Sequence, residues 1–309
     1  MTPQAQRDRN WNEALAASVH ATVFGDARYV RAMAKASELA PEFLLEDSVG
    51  VAVCTRSRGP VKEAVLPLFT PFTGFVLPEI EAARVHAGDD ALSRVATMLE
   101  TGPDRIRVHL PPSVTDVRSL SLRGWNVSPL YTYRLNPANG TTAWSSGTRR
   151  SVRKNEPSYA TAVDPEAVPE VIRLVHEGYE RGGAAPPGQA QALADAVSEL
   201  AQHGLTECVT ARRDGTIEAG IVLLHGPDAS YYWMAGSVPG PAMSVLIAFV
   251  LSHLEARGVG TFDLLGANTP PIAEFKRRLG AELVQYWSAT FDAGLAARAI
   301  SAAKALRGR

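Results

Sequence analysis

A single order of elements occurs twice along this chain: three short strands, then helix, strand, helix and a closing strand. In the first half the hydrophobic periodicity predicts a helix over Ala27–Glu38, opened by Asp26, and strands near Phe43–Glu46, Val49–Thr55 and Lys62–Phe69. A helix over Ala91–Glu100, a strand Arg105–Leu110, a helix Val114–Leu122 and a strand Trp125–Leu135 follow. The second half opens with helices over Arg149–Lys154, Val168–Glu180 and Ala190–His203, then repeats the order. Its strands are Glu207–Arg213, Glu218–His225 and Ser230–Ala235, with a helix Met243–Arg257, a strand Thr261–Leu265, a helix Pro271–Leu279 and a strand Glu282–Phe291. A shift of 156 residues lays Gly124 on Gly280, and Ile106, Val108 and Leu110 on Phe262, Leu264 and Gly266. A duplicated α/β unit is the economical reading. The competing one is that strand alternation brings any two such segments into partial register.

The expected division falls in the turn-forming Asn139-Gly140-Thr141-Thr142, giving a domain over 1–140 and another over 141–309 that carries most of the chemistry. A last helix, Leu295–Leu306, could join either. With 309 residues the chain can bury two ordinary cores. No apolar run is long and uninterrupted enough to span a bilayer, and the polar Met1–Arg9 does not resemble a secretory leader, so the expected compartment is the cytoplasm. Cys54 and Cys208 each sit in an apolar, strand-like run, which suits buried, reduced thiols. Formal charge is −1, so any polyanionic partner must be met by a local patch.

Where one copy carries reactive groups and its twin carries bland ones, function is expected. Lys276 stands opposite Leu120, and Phe275 opposite Ser119. A helix after Asp263-Leu264-Leu265-Gly266-Ala267-Asn268 would bring Lys276 to the carboxyl end of that strand, where open α/β sheets bind ligands. The plain alternative for Lys276-Arg277-Arg278 is a solvated helix face, and for Asp263 and Asn268 a strand residue and a turn former. A second group, Arg149, Arg150, Arg153 and Lys154, gathers on one side of a helix and offers guanidinium forks to phosphate, or is simply a solvated face. In Tyr231-Tyr232-Trp233-Met234 one alternating pair is core and the other lines a cleft. Phe69–Phe75 is an apolar, proline-bearing loop, either core edge or pocket wall. His176, Glu177 and Glu180 are the candidate general bases on an ordinary-looking helix. No metal set is expected.

The loop Leu66–Gly74, the segment Gly124-Trp125 through Tyr131-Thr132-Tyr133, the basic Arg149–Lys154 helix and Asp263–Asn268 with Phe275–Glu282 together resemble the FemABX-like branch of the GNAT superfamily. The resemblance runs from about Phe24 to Phe291. It implies tandem GNAT domains and transfer of an aminoacyl or acyl group to an amine. It places Lys276 near the acyl donor and assigns phosphate contact to an arginine among Arg149, Arg150 and Arg153; Asp263 and Asn268 are expected, from their place at the strand end, to orient one substrate. Lys154, Tyr232, Trp233, Phe72, Thr73, Phe275 and Arg277 complete the expected substrate contacts. No bound cofactor is implied, the donor itself being a substrate. The loop matching a CoA pyrophosphate cradle, Ser237-Val238-Pro239-Gly240-Pro241-Ala242, has no basic side chain and two prolines without an N–H, which favours aminoacyl-tRNA over acyl-CoA. The acceptor is a peptide, a cell-wall precursor or a specialised metabolite, the last consistent with antibiotic biosynthesis. The other readings kept open are a CoA-dependent N-acyltransferase and a non-catalytic protein that binds peptide or nucleic acid.

Overall fold

The structure, a computed structural model, describes residues 2–78 and 85–293. The expected helix Leu295–Leu306 lies outside them. The chain divides into two compact units, one of residues 1–130 with 285–309 and one of residues 131–284.

In the first unit β1 (Ala40–Glu46), β2 (Val49–Arg58) and β3 (Val61–Val65) form an antiparallel meander. After α3 (Val85–Glu100), β5 (Arg105–Leu110) returns parallel to β3. A short β4 (Gly74–Val76) pairs with β2. Alternation along β5 sends Ile106, Val108 and Leu110 into a core shared with Leu92, Val95 and Leu99 of α3. In the second unit β8 (Thr206–Arg213), β9 (Thr216–His225) and β10 (Ser230–Ser237) form the meander, α8 (Ala242–Ala256) is the crossover, and β11 (Phe262–Asp263) returns parallel to β10. An extra edge strand, β7 (Ala160–Val163), pairs with β8. The strands of the two units therefore follow one topology, a mixed α/β arrangement whose crossover is filled by a helix of similar length.

What closes each sheet departs from the expected division at Gly140. The strands β6 (Asn126–Leu135) and β12 (Glu282–Asp292) begin 156 residues apart, as the repeat requires. Yet β12 pairs antiparallel with β5 over Trp287–Asp292, while Arg134 and Leu135 of β6 pair with β11. Each unit is completed by the strand that the repeat assigns to the other, which is why the boundaries fall inside β6 and β12. The shift of 156 does not extend to the meanders: β1, β2 and β3 start at 40, 49 and 61, and β8, β9 and β10 at 206, 216 and 230.

Three predicted elements are shorter than expected for local reasons. The strand at Thr261–Leu265 stops at Asp263 because Leu265 and Gly266 both take positive φ, +56° and +48°. The strand at Lys62–Phe69 ends at Val65, before Pro67 and a positive-φ Phe69. The helix at Val114–Leu122 reduces to α4 (Arg118–Leu122). Helix α1 (Pro3–Ala16) was not foreseen from its polar sequence. Thr2 caps it by accepting from the Ala5 N–H, and only Trp11 and Leu15 are buried.

On one face of the second sheet α8 buries Val245, Leu246, Ile247, Val250, Leu251 and Leu254 against Ile221 and Leu223. On the other lies α6 (Val168–Arg181), so close that a Cβ on Gly236 would stand 2.3 Å from the backbone of Leu174 and Val175. Gly236→Ala is expected to lower stability by about 1–3 kcal/mol in urea denaturation, the usual range for overpacking. Gly147→Ala, whose Cβ meets nothing within 4 Å, is expected to cost nothing in the same measurement.

Candidate active site

Parallel pairing of β10 with β11 spans only Ser230↔Phe262 and Tyr231↔Asp263. Beyond it both strands change course. β10 bulges, its register against β9 jumping between Tyr232 and Met234, and the chain after β11 turns through Leu265 and Gly266. Carbonyls that a longer ladder would have occupied need another donor. Lys276, in α9 (Pro270–Arg277), supplies it: Nζ donates to the Leu264 carbonyl at 2.6 Å and the Leu265 carbonyl at 2.7 Å, 5.4 Å from the centre of the Tyr232 ring. The lysine is 5% exposed, and burial brings its amine down to about 8 against the opposing pull of Asp263. A helix position read from sequence as either solvated or functional is thus a buried cation.

Asp263 is fully enclosed. One carboxylate oxygen accepts from the Thr132 hydroxyl and from the Leu265 N–H at 2.9 Å, and the other accepts from Arg134 Nε at 2.9 Å. Asn268 imitates a strand partner, its side chain accepting from the Tyr131 N–H at 2.9 Å and donating to the Tyr131 carbonyl at 3.0 Å. Both residues, expected to orient a substrate, bind this chain's own β6 and the turn after β11. Thr132 and Arg134, which complete the arrangement, carry no motif, and the sequence reading missed them.

Beside this wedge is an open cleft of about 970 Å³. Its walls are one face of α5 (Ser146–Asn155), the first turn of α8, and the end of α9 with Phe275, Arg277 and Arg278. The α5 N-cap, Ser145, accepts from the Thr148 N–H and donates its own N–H to the Arg278 carbonyl at 2.8 Å, fixing α5 to α9. Pro241 caps α8 without a side-chain acceptor, and Gly240, Pro241 and Ser244 at the start of this helix line the cleft. In the preceding loop the Val238 N–H is taken by the Glu218 carbonyl, and Arg181 donates to the Ser237 carbonyl. A basic side chain does reach this loop, from α6. Arg277 and Arg278 are both held by Glu274, with Nε–O distances of 2.8 Å, and the two hydrogen bonds bring the Glu274 carboxyl down to about 2.

The other expected contacts are dispersed. On α5, Thr148, Ser151 and Asn155 face the cleft and Val152 the core, so Arg149, Arg150, Arg153 and Lys154 occupy the opposite, exposed arc. Because of the bulge, Tyr231, Trp233 and Met234 are all buried and Tyr232 alone stays partly exposed, so strict alternation fails. Phe72 and Thr73 belong to the first unit's core: Phe72 packs edge-on to Phe24 and Tyr286, and Thr73 exchanges hydrogen bonds with His109. Glu177 is engaged by Arg173 and Arg181, and His176 Nε2 is buried with no hydrogen-bond partner among the described residues. No metal-binding group of His, Cys, Asp and Glu occurs among the described residues, nor any helix long and apolar enough to cross a membrane.

Residues 145–277 match the family model of the acetyltransferase (GNAT) domain. This stretch is a GNAT domain. The GNAT domain thus holds α5, α8, the β10–β11 wedge and α9 with Lys276. No curated protein sequence matches the chain. Among solved structures the fold is similar to that of FemX, with a TM-score of 0.68 at 11% identity, covering 91% of this chain and 95% of FemX. It is also similar to L-PGS from Bacillus licheniformis, with a TM-score of 0.57 at 11% identity over 91% of this chain and 90% of that one. A third structure is a C-terminal DUF2156 domain, named for a lysylphosphatidylglycerol synthetase of Agrobacterium fabrum. Its TM-score is 0.58 at 13% identity, covering 98% and 97%. At these identities what is shared is the fold.

The buried amine of the GNAT domain has a consequence for stability. In the unfolded chain Lys276 holds its proton up to its ordinary value of 10.5, whereas folded it releases it from about pH 8. Across that window the unfolded state binds more protons, so stability rises with pH, by at most about 1.4 kcal/mol per unit. Urea titrations of the protein and of Lys276→Met from pH 7.5 to 9.5 are expected to show this rise only in the former; parallel curves would contradict the burial of a charged amine.

Proposed function

We propose that the protein is an aminoacyltransferase that takes an aminoacyl group from aminoacyl-tRNA and forms an amide on an amine acceptor. The observation that carries this reading is the cleft at the GNAT wedge. Two helix N-termini and the Arg277–Arg278 pair line one open space of about 970 Å³, a setting for several phosphates around an acyl group. The prolines at 239 and 241 and the engaged Val238 N–H leave the segment before α8 with few free donors, so phosphates fall to the helix's own first turn and to Arg277 and Arg278, which supports an RNA donor over CoA. The basic arc of Arg149, Arg150, Arg153 and Lys154, facing away from the cleft, suits backbone phosphates further along a long donor.

In the reaction the acceptor nitrogen attacks the ester carbonyl, the C–N bond forms and the C–O bond to the ribose breaks. The proton lost by the amine is matched by the one gained at the ribose oxygen. In this reading the acyl group lies beside the parting of β10 and β11, where the Lys276 ammonium stabilises negative charge growing on the carbonyl oxygen. Phe275 and Tyr232 pack beside it, while Asp263 and Asn268 hold the turn that presents the Leu264 and Leu265 carbonyls. The acceptor is a peptide, a cell-wall precursor or a specialised metabolite, and a tRNA donor places the reaction in the cytoplasm. A CoA-dependent N-acyltransferase is the second reading, favoured by the description of the matched family as acetyltransferases.

Purified protein incubated with amine acceptors and either radiolabelled aminoacyl-tRNA or acetyl-CoA separates the two. Transfer from aminoacyl-tRNA, abolished by RNase and reduced roughly a hundredfold in Lys276→Ala, is expected. RNase-insensitive transfer from acetyl-CoA would establish the second reading instead.

A further inference from the structure

The first unit contains a second charged concavity with no part in the proposed chemistry. Residues 105 and 107 of β5 face away from the core that takes Ile106 and Val108. Strand register sets Arg56 beside Glu63, Glu63 beside Arg105, and Arg105 beside Asp292, a row of alternating charge across β2, β3, β5 and β12. Glu63 is 6% exposed and lies 3.0 Å from Arg56 Nε, 3.4 Å from Arg105 Nη1 and 3.6 Å from Arg58 Nε. Burial pushes its carboxyl up, but the Arg56 hydrogen bond and the three guanidinium charges hold it below the usual carboxylate range. The row is therefore ionised and internally balanced. Arg58, which touches the row only through its 3.6 Å approach to Glu63, and Arg107 carry the surplus positive charge. Arg107 stands opposite Thr290 and makes no ion pair or hydrogen bond among the described residues, and Arg58 keeps 61% of its side chain exposed. Around them is a pocket of about 300 Å³ that also includes Thr290.

From this geometry we infer that the first unit binds the phosphate group of a small phosphorylated molecule between Arg58 and Arg107. Two surplus guanidiniums match the charge of a phosphate monoester, and their planar forks match its oxygens better than they match a monoanionic carboxylate. The balanced row beneath fixes the orientation of Arg56 and Arg105, so the pocket floor is set before a ligand arrives. A concave space of this size suits a sugar phosphate or nucleoside monophosphate, not a duplex backbone.

Calorimetric titration at low salt with pyrophosphate and with AMP tests the site. One saturable event in the full-length protein is expected, weakened at least roughly tenfold in Arg58→Gln/Arg107→Gln and unchanged in Arg277→Gln. The double variant should keep the thermal midpoint of the parent, since neither side chain is buried. Loss confined to Arg277→Gln would move the binding to the GNAT cleft and overturn the inference. So would an unaltered affinity in the double variant, or no binding of either probe to the parent protein.

Discussion

The parting of β10 from β11 is the constraint on which the second unit is arranged. A parallel pair that separates after two residues leaves carbonyls without ladder donors, and an unpaired buried carbonyl costs on the order of 1–3 kcal/mol. The chain satisfies the carbonyls of Leu264 and Leu265 with one ammonium from α9. That choice fixes where α9 lies. From there Arg277 and Arg278 reach the cleft, and the Arg278 carbonyl receives the N–H of Ser145, so the start of α5 is set by the same element. Gly280 finishes the link: it has φ +68°, and a Cβ there would lie 2.2 Å from the Ala143 carbonyl oxygen.

A second buried charge keeps the wedge from collapsing. Asp263 draws Thr132 and Arg134 of β6 and the N–H of Leu265 onto one carboxylate, so the strand pair and the turn beyond it are held from the opposite side to Lys276. Buried ions of this kind stabilise little in net terms, because desolvation offsets much of the attraction. Their effect is on geometry: the strands stay apart and the turn keeps its positive-φ residues. An ammonium already bound to two carbonyls is also a fixed positive charge in a low-dielectric setting, which is the form in which a charge acts most strongly on a developing oxyanion.

Most of the fold could be read from the sequence, because helix and strand periodicities are long and the repeat disciplines them. β5, β6, α6, α8 and β12 lie within a residue or two of their expected bounds. The failures are informative. β11 is two residues long because of backbone conformation at Leu265, a non-glycine residue in which nothing local announces a positive φ. α1 was hidden by its polar surface, since two buried side chains are enough to dock it. The destination of β6 and β12 depends on long-range pairing, which periodicity does not encode. At the site, Lys276 was visible because its twin is Leu120. The fate of Arg149–Lys154 was not, because four cations on one arc of a helix say nothing about which arc meets a cleft. Thr132 and Arg134 act only through Asp263 and have no signature of their own.

In the proposed reaction an acyl donor occupies the wedge between β10 and β11 with its phosphates along α8 and α9. Hydrogen–deuterium exchange with an amide-linked analogue of an aminoacylated RNA hairpin measures this directly. Slowed exchange is expected at the amides of Gly240 and Ala242–Ser244 and in the turn 264–268, with β7 and the first unit's meander unchanged. Protection confined to the first unit, with none in those two segments, would contradict it.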